Sequence, residues 1–168
     1  MIFTTKAEYG VRLLVELGRQ PDDQPVSLKA ISEAEGLPLA YLERIVALLK
    51  KVGVVAATRG AHGGYRLARD PAAITMDEVV LALEGVVAPM ACFVDDSMRE
   101  RGVLCSHTDD GGEACATKLL WTRVHGGVLR ALAGTTLAEL IAFADHGPVL
   151  ASGARAAAPP LAVVEPHL

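Results

Sequence analysis

The tripeptide Gly36-Leu37-Pro38 constrains this chain most, because it stops one helical pattern and starts another with room only for a tight turn between them. Ahead of it, Ser27 offers a capping hydroxyl, and Leu28, Ile31 and Ala34 repeat three apart as in a short helix with one apolar face. Glycine and proline together break that pattern sharply. From Leu39 a second helix is predicted, with Leu42, Ile45, Val46 and Leu49 on one face and Tyr41, Glu43, Arg44, Lys50 and Lys51 on the other. Gly53 is placed to cap its C-terminus.

Val54 to Ala57 and Tyr65 to Leu67 are short runs fit for strands. Between them, Arg59-Gly60-Ala61-His62-Gly63-Gly64 is rich enough in glycine to pass close to another backbone. The whole makes a helix-turn-helix with a β-wing. A helix-turn-helix alone suits plain helical packing as well as it suits DNA, and the wing decides for DNA. In such modules the N-terminal part of the second helix enters the major groove, so Ala40, Tyr41, Glu43 and Arg44 are the expected base readers. Arg59 at the wing tip is expected in the minor groove. Thr5, Ser27, Lys29, Lys50, Lys51 and His62 complete the candidate DNA contacts, with Lys51 expected to anchor phosphate.

A formal net charge of −4 looks wrong for a DNA binder until the chain is divided. Residues 1–70 hold ten Lys/Arg against eight Asp/Glu, a net of +2, and residues 71–168 hold six against twelve, a net of −6. The DNA face is therefore expected at the N-terminal end. With 168 residues and 51% hydrophobic content the chain can bury one good core. No run of roughly 18 apolar residues suggests a membrane span. The opening MIFTTKAEYG lacks the order of a secretory signal, so a cytoplasmic protein with reduced thiols is expected. No nucleophile-base pattern, P-loop or dinucleotide fingerprint points to an enzyme.

The predicted fold class is mainly α with a small β-wing, followed by a long C-terminal dimerisation helix. Thr5 with Glu8 reads as a capping box for a first helix, whose apolar stripe is Ala7, Val11, Leu14, Val15 and Gly18. Thr75 with Glu78 opens another helix through Val79, Val80 and Leu83, stopped at Gly85, so residues 1–85 form the DNA-binding unit. Periodicity fails over residues 86–115, a loop bearing the cysteines. Helical spacing then returns to Ala133, with Trp121, Val124, Val128 and Leu132 in one stripe and Leu120 and Leu129 beside it. One stripe suits the chain's own core and the other a second copy, which predicts a homodimer. Thr136 with Glu139 opens a final helix through Leu137, Leu140, Ile141 and Phe143, closing a unit of residues 116–146. Residues 147–168, rich in Ala and Pro, read as a disordered tail.

The three cysteines, Cys92, Cys105 and Cys115, fall within one segment of 24 residues. Soft thiolates suit an iron-sulfur cluster, which normally takes four ligands and so needs one more here. His107, two residues after Cys105, is a candidate fourth ligand, or else a plain loop histidine. Zinc on the same set lacks the usual C-x-x-C pairs. A metal-free thiol switch, or three inert thiols, fits the same residues.

The helix opening on Thr5-Lys6-x-Glu8-Tyr9, the pair carrying Tyr41-Leu42-Glu43, the wing Arg59-Gly60-x-x-Gly63-Gly64-Tyr65 and the cysteine loop before a Leu-Trp helix together resemble the Rrf-type family of bacterial winged-helix transcriptional regulators, which includes IscR-like and NsrR-like members. The resemblance covers residues 1 to about 145. It implies a homodimer on double-stranded palindromic operator DNA, and in many members an iron-sulfur cluster, 2Fe-2S or 4Fe-4S, on three loop cysteines. IscR-like members follow the third cysteine with a histidine ahead of x-Leu-Trp; this chain has Lys118 there, which is not such a ligand. The spacing of the cysteines is also wider than usual. NsrR-like members complete the site with a carboxylate from the first helix of the other subunit, a place held here by Glu8. The implied function is a regulator whose operator affinity follows the cluster, sensing redox state, iron or nitric oxide.

Overall fold

The computed structural model describes residues 3–21, 24–60, 63–85, 87 and 116–146, with the side chains of 116–118 left aside. Expectations about His62, Cys92, Cys105, His107, Cys115 and the tail lie outside these residues. A first helix, α1 (Thr5–Gly18), runs through the middle of the fold. It is followed by α2 (Leu28–Glu35), α3 (Leu39–Lys51), strands β1 (Val55–Thr58) and β2 (Gly64–Leu67), a single 3-10 turn at Pro71–Ala73, α4 (Met76–Glu84), α5 (Ala116–Ala133) and α6 (Leu137–His146). The fold is mainly helical, with a winged helix-turn-helix ahead of a long C-terminal helix.

α1 is held by α2, α3, α4, α6 and β2. Its buried residues are Ala7, Gly10, Leu13, Leu14 and Leu17. This corrects the stripe expected from sequence, because Val11 and Val15 are only half-buried at its edge. A helix gripped from several sides needs an apolar arc wider than one stripe, and sequence spacing does not show where that arc is centred. Ala34 of α2 is likewise exposed, whereas α3 buries Leu42, Ile45, Val46 and Leu49 as its spacing predicts.

The wing is a two-stranded antiparallel ladder running from Val55 opposite Leu67 to Thr58 opposite Gly64. Val26 adds a third position, donating to Tyr65 O at 2.9 Å and accepting from Tyr65 N at 2.8 Å. A Cβ on Gly64 would stand 2.5 Å from Val26 O, so only glycine lets the two backbones approach this closely.

α6 folds back onto α1. Leu137 is fully buried in the common core, and Ile141 lies where a Cβ on Gly18 would meet it at 2.2 Å. Backbone bonds from Met76 N to Thr135 O and from Leu137 N to Ile74 O, both 2.9 Å, tie the α5–α6 corner to the start of α4. Arg19 Nε donates to Asp145 Oδ1 at 2.7 Å, linking the far ends of α1 and α6. Phe143, expected in the apolar stripe of α6, is instead 57% exposed.

The capping boxes follow sequence at two helices and depart from it at one. Glu78 closes a capping box on Thr75, and Glu139 does so on Thr136, accepting from Thr136 N at 2.8 Å. At α1 the cap is Thr4, not Thr5: Thr4 Oγ1 accepts from Lys6 N at 3.2 Å. That shift puts Glu8 one position past the reach of a capping box. The bond a local carboxylate would make to the cap's N–H is made from a distance, by Glu84 Oε1, which accepts from Thr4 N at 3.1 Å and from Thr4 Oγ1 at 2.7 Å. Thr4→Ala should therefore cost about 0.5 to 2 kcal/mol of stability, while Thr5→Ala and Glu8→Ala each stay within about 0.5 kcal/mol, as read from urea unfolding midpoints.

Candidate nucleic-acid interface

The helix-turn-helix is locked from behind before any residue reaches outward. Ser27 Oγ caps α2 by accepting from Ala30 N at 3.1 Å. Gly36 turns the chain at φ 64°, Leu37 N donates back to Ser32 O at 3.0 Å, and Leu37 itself is buried. From α1, Arg12 donates to Glu35 Oε2 at 2.8 Å and to Glu35 O at 2.6 Å, holding the end of α2. At the other end of α3, Gly53 sits one residue past the C-cap Val52 at φ 72°. The bonds Gly53 N to Lys50 O at 3.1 Å and Val54 N to Leu49 O at 3.0 Å then turn the chain directly into the wing.

The N-cap of α3 is Pro38, which has no capping side chain; its carbonyl accepts from Tyr41 N and Leu42 N at 3.0 and 3.1 Å. The N–H groups of Leu39 and Ala40 are left pointing out of the helix end, where backbone donors and the helix dipole favour an anionic partner. Beside them lies a cleft of about 380 Å³ lined by Thr5, Tyr9, Pro38, Ala40, Tyr41 and Arg44. The structure thus brings four of the sequence-derived candidates, Thr5, Ala40, Tyr41 and Arg44, to one concave surface.

Tyr9 and Pro38 were missed. Tyr9 stands one turn after Thr5 on α1, and its ring meets Tyr41 edge to face, with centroids 5.6 Å apart and planes at 86°. That contact depends on the crossing of α1 and α3, which no local pattern reports. Glu43 and Arg44 are both exposed; Glu43 stands outside the cleft, on the neighbouring stretch of α3.

The wing follows the other end of α3 and packs against that helix. Arg59 is exposed just beyond β1, and Gly60 follows at φ 119°. A Cβ on Gly63 would stand 2.4 Å from Thr58 O, so the tip closes only with glycine there. Lys50 is drawn toward β2, with its ammonium 5.9 Å from the Tyr65 ring centroid. Lys51 is exposed at the last turn of α3. Lys29 on α2 is exposed and lies 3.9 Å from Glu33 one turn on, a loose surface pair that leaves it available.

Glu8, on the exposed side of α1, has no hydrogen bond or ion pair from its carboxylate among the described residues. Among those residues no group of three or more His, Cys, Asp or Glu could hold a metal ion, the cysteines lying outside them. No described helix is long and apolar enough to cross a membrane.

The family model for Rrf2, an iron-dependent transcriptional regulator, matches residues 3–142. Protein rrf2 of Nitratidesulfovibrio vulgaris is 34% identical over 148 residues, covering 88% of this chain and 92% of that protein. Among solved structures, CymR, the global cysteine regulator of B. subtilis, superposes with a TM-score of 0.68 at 33% identity, over 85% of this chain and 98% of its own. T. potens IscR superposes with a TM-score of 0.66 at 33% identity, over 86% of this chain and 88% of its own.

The Tyr9–Tyr41 contact generates a prediction independent of any ligand. A double-mutant cycle of Tyr9→Ala and Tyr41→Ala, followed by urea unfolding, should give a favourable coupling of about 0.5 to 1.5 kcal/mol, and zero coupling would mean the rings do not hold one another.

Proposed function

We propose that this chain, which belongs to the Rrf2 family of transcriptional regulators, grips operator DNA as a homodimer and that an iron-sulfur cluster on Cys92, Cys105 and Cys115 sets its affinity. The observation that carries the DNA reading is the cleft at the start of α3, where Thr5, Ala40, Tyr41 and Arg44 converge beside unpaired backbone donors. Ala40, Tyr41, Glu43 and Arg44 meet base edges in the major groove, where arginine pairs with guanine and a small apolar side chain accepts a thymine methyl. Glu43 accepts from cytosine and repels phosphate, so it narrows the set of tolerated sites. Arg59 enters the minor groove, while Ser27, through the helix start it caps, and Lys29, Lys50, Lys51 and His62 meet the backbone.

The dimer reading is supported by α5. Trp121, Val124, Val128 and Leu132 are half-buried, Leu132 against the chain's own core, while Leu119 and Leu120 are more than half exposed and Leu129 is exposed as well. Leu119 stands opposite the Trp121 stripe, with Leu120 and Leu129 on either side of it, so the half of α5 turned away from that stripe carries exposed leucines that suit a second copy of the chain, and a two-fold dimer matches a palindromic operator.

The donor set fits a cluster: three thiolates and the free carboxylate of Glu8, which the absence of a capping box leaves uncommitted. When bound, the cluster supplies a redox-sensitive and iron-dependent link between these residues. His107 is the rival fourth donor. A second reading, a cofactor-free thiol switch on the same cysteines, is favoured by the likeness to a cysteine regulator.

Two tests follow from this reading. Arg59→Ala should weaken binding by about 1 to 3 kcal/mol and relax preference at one position, whereas Lys51→Ala should weaken all duplexes alike and lower the salt slope by about 1. Identical, sequence-independent losses would remove Arg59 as a reader. In anaerobically purified protein, iron and sulfide content should be stoichiometric with the chain, labile in Glu8→Ala and unchanged in His107→Ala. Operator affinity at fixed salt should differ between cluster-loaded and cluster-free forms by about 1 to 3 kcal/mol. Absence of iron together with an affinity that follows thiol oxidation would establish the second reading instead.

A further inference from the structure

We propose that Glu84 is a positioning residue for DNA recognition: through Thr4 it fixes the first turn of α1, and with it the Thr5 and Tyr9 wall of the cleft that holds Tyr41 and Arg44. The proposal rests on the reading of that cleft as the DNA face.

Three observations carry it. Glu84 is the last residue of α4, where the negative end of a helix disfavours a carboxylate, so α4 itself gives no reason for it to be there. Its one set of partners among the described residues is Thr4, whose N–H and hydroxyl both donate to Oε1, at 3.1 and 2.7 Å. At the start of α1 the same charge is favourable, because it meets the positive end of a helix and takes the place of a local capping carboxylate.

Leu83, the neighbour of Glu84, makes the second attachment. A Cβ on Gly10 would stand 2.3 Å from Leu83 Cδ1, so α1 and α4 meet there with only the Leu83 side chain between them. The last turn of α4 therefore holds α1 at Thr4 and at Gly10, on both sides of the two residues that reach the cleft. Tyr9 adjoins the second attachment and carries its constraint to Tyr41 through the edge-to-face ring contact. Thr5 adjoins the first and lines the cleft directly. In covalent order the cysteine-bearing segment begins just after Gly85, the residue that follows Glu84.

The test uses the full chain, a duplex selected by it from a random pool and an unrelated duplex, both titrated at one salt concentration. Glu84→Ala should lower the ratio of selected to unrelated affinity by about three- to tenfold, with the unrelated duplex unchanged. Thr4→Val should do the same, and the double variant should lose no more than either single variant. Thr4→Ser, which keeps the hydroxyl, should restore the ratio, and Glu84→Gln, which keeps the acceptor but not the charge, should restore most of it. Amide hydrogen exchange over residues 5–9 should quicken in Glu84→Ala and not in Glu84→Gln. A ratio that survives Glu84→Ala, an additive loss in the double variant, or an equal fall for both duplexes would overturn the proposal alone. A wild-type chain that does not discriminate between the duplexes would overturn the DNA-face reading, and the proposal with it.

Discussion

Close approach to α1 is the constraint on which the rest of this structure depends. Five elements pack around that one helix, and at two of its crossings the neighbour comes so near that a β-carbon would collide: Leu83 of α4 at Gly10 and Ile141 of α6 at Gly18. Glycine in a helix interior costs about 1 kcal/mol relative to alanine. Here that cost is offset by the contact of Leu13, Leu14 and Leu17 with side chains from both ends of the chain, Leu137 of α6 among them. Burial of a leucine of this kind contributes roughly 1.5 to 3 kcal/mol, so a few such contacts outweigh Gly10, while Gly18, at the last position of α1, is not an interior glycine.

A reading surface benefits from this because its own side chains cannot be buried. Ala40, Glu43, Arg44 and Arg59 are exposed, so their geometry must be set by what lies behind them. Leu42, Ile45, Val46 and Leu49 fix the roll of α3, Gly36 and the glycine after its C-terminal cap fix its two ends, and Tyr9 fixes one face of Tyr41. The wing is similarly supported: Val26 supplies a backbone neighbour to Tyr65, and Tyr65 in turn lies under Lys50. In the proposed complex a helix and wing held in this way need little backbone ordering on binding, which favours discrimination between sequences over general adhesion.

What sequence made legible was whatever its own neighbours determine. The α3 stripe, the turn at Gly36, the strands of the wing to within a residue and the capping boxes at Thr75 and Thr136 all depend on residues a few positions apart. The misses share one physical origin, which is that a distant residue overrides the local choice. Thr5 with Glu8 satisfied the capping pattern, yet Glu84 serves the cap from 80 residues away and moves it to Thr4. Nothing near Val26 marks it as a strand position, because its pairing partner, Tyr65, lies beyond two helices. Phe143 had the spacing of a core residue, but α6 meets α1 through Leu137 and Ile141 and leaves that ring outside. Of the candidate site, the residues on α3 were visible from spacing, and Tyr9 was not, because it joins the cleft only through the crossing of α1.

The C-terminal helices extend the same logic from one chain to two. The corner between α5 and α6 is stitched to the start of α4 by Met76 N to Thr135 O and Leu137 N to Ile74 O, and Leu137 is a full member of the core. The C-terminal end of α5 is therefore rigidly related to α4, and through Leu83, Glu84 and α1 to the cleft on α3. In the proposed dimer, a second chain seated on the half of α5 that bears Leu119 is joined to each reading surface by packed helices rather than by a linker. The separation of two half-sites on DNA is set by the helical repeat, about 34 Å or a multiple of it. Packed helices can hold such a distance where a flexible linker cannot, so in the proposed dimer the contact of α5 with α4 bears directly on how the two reading surfaces are spaced.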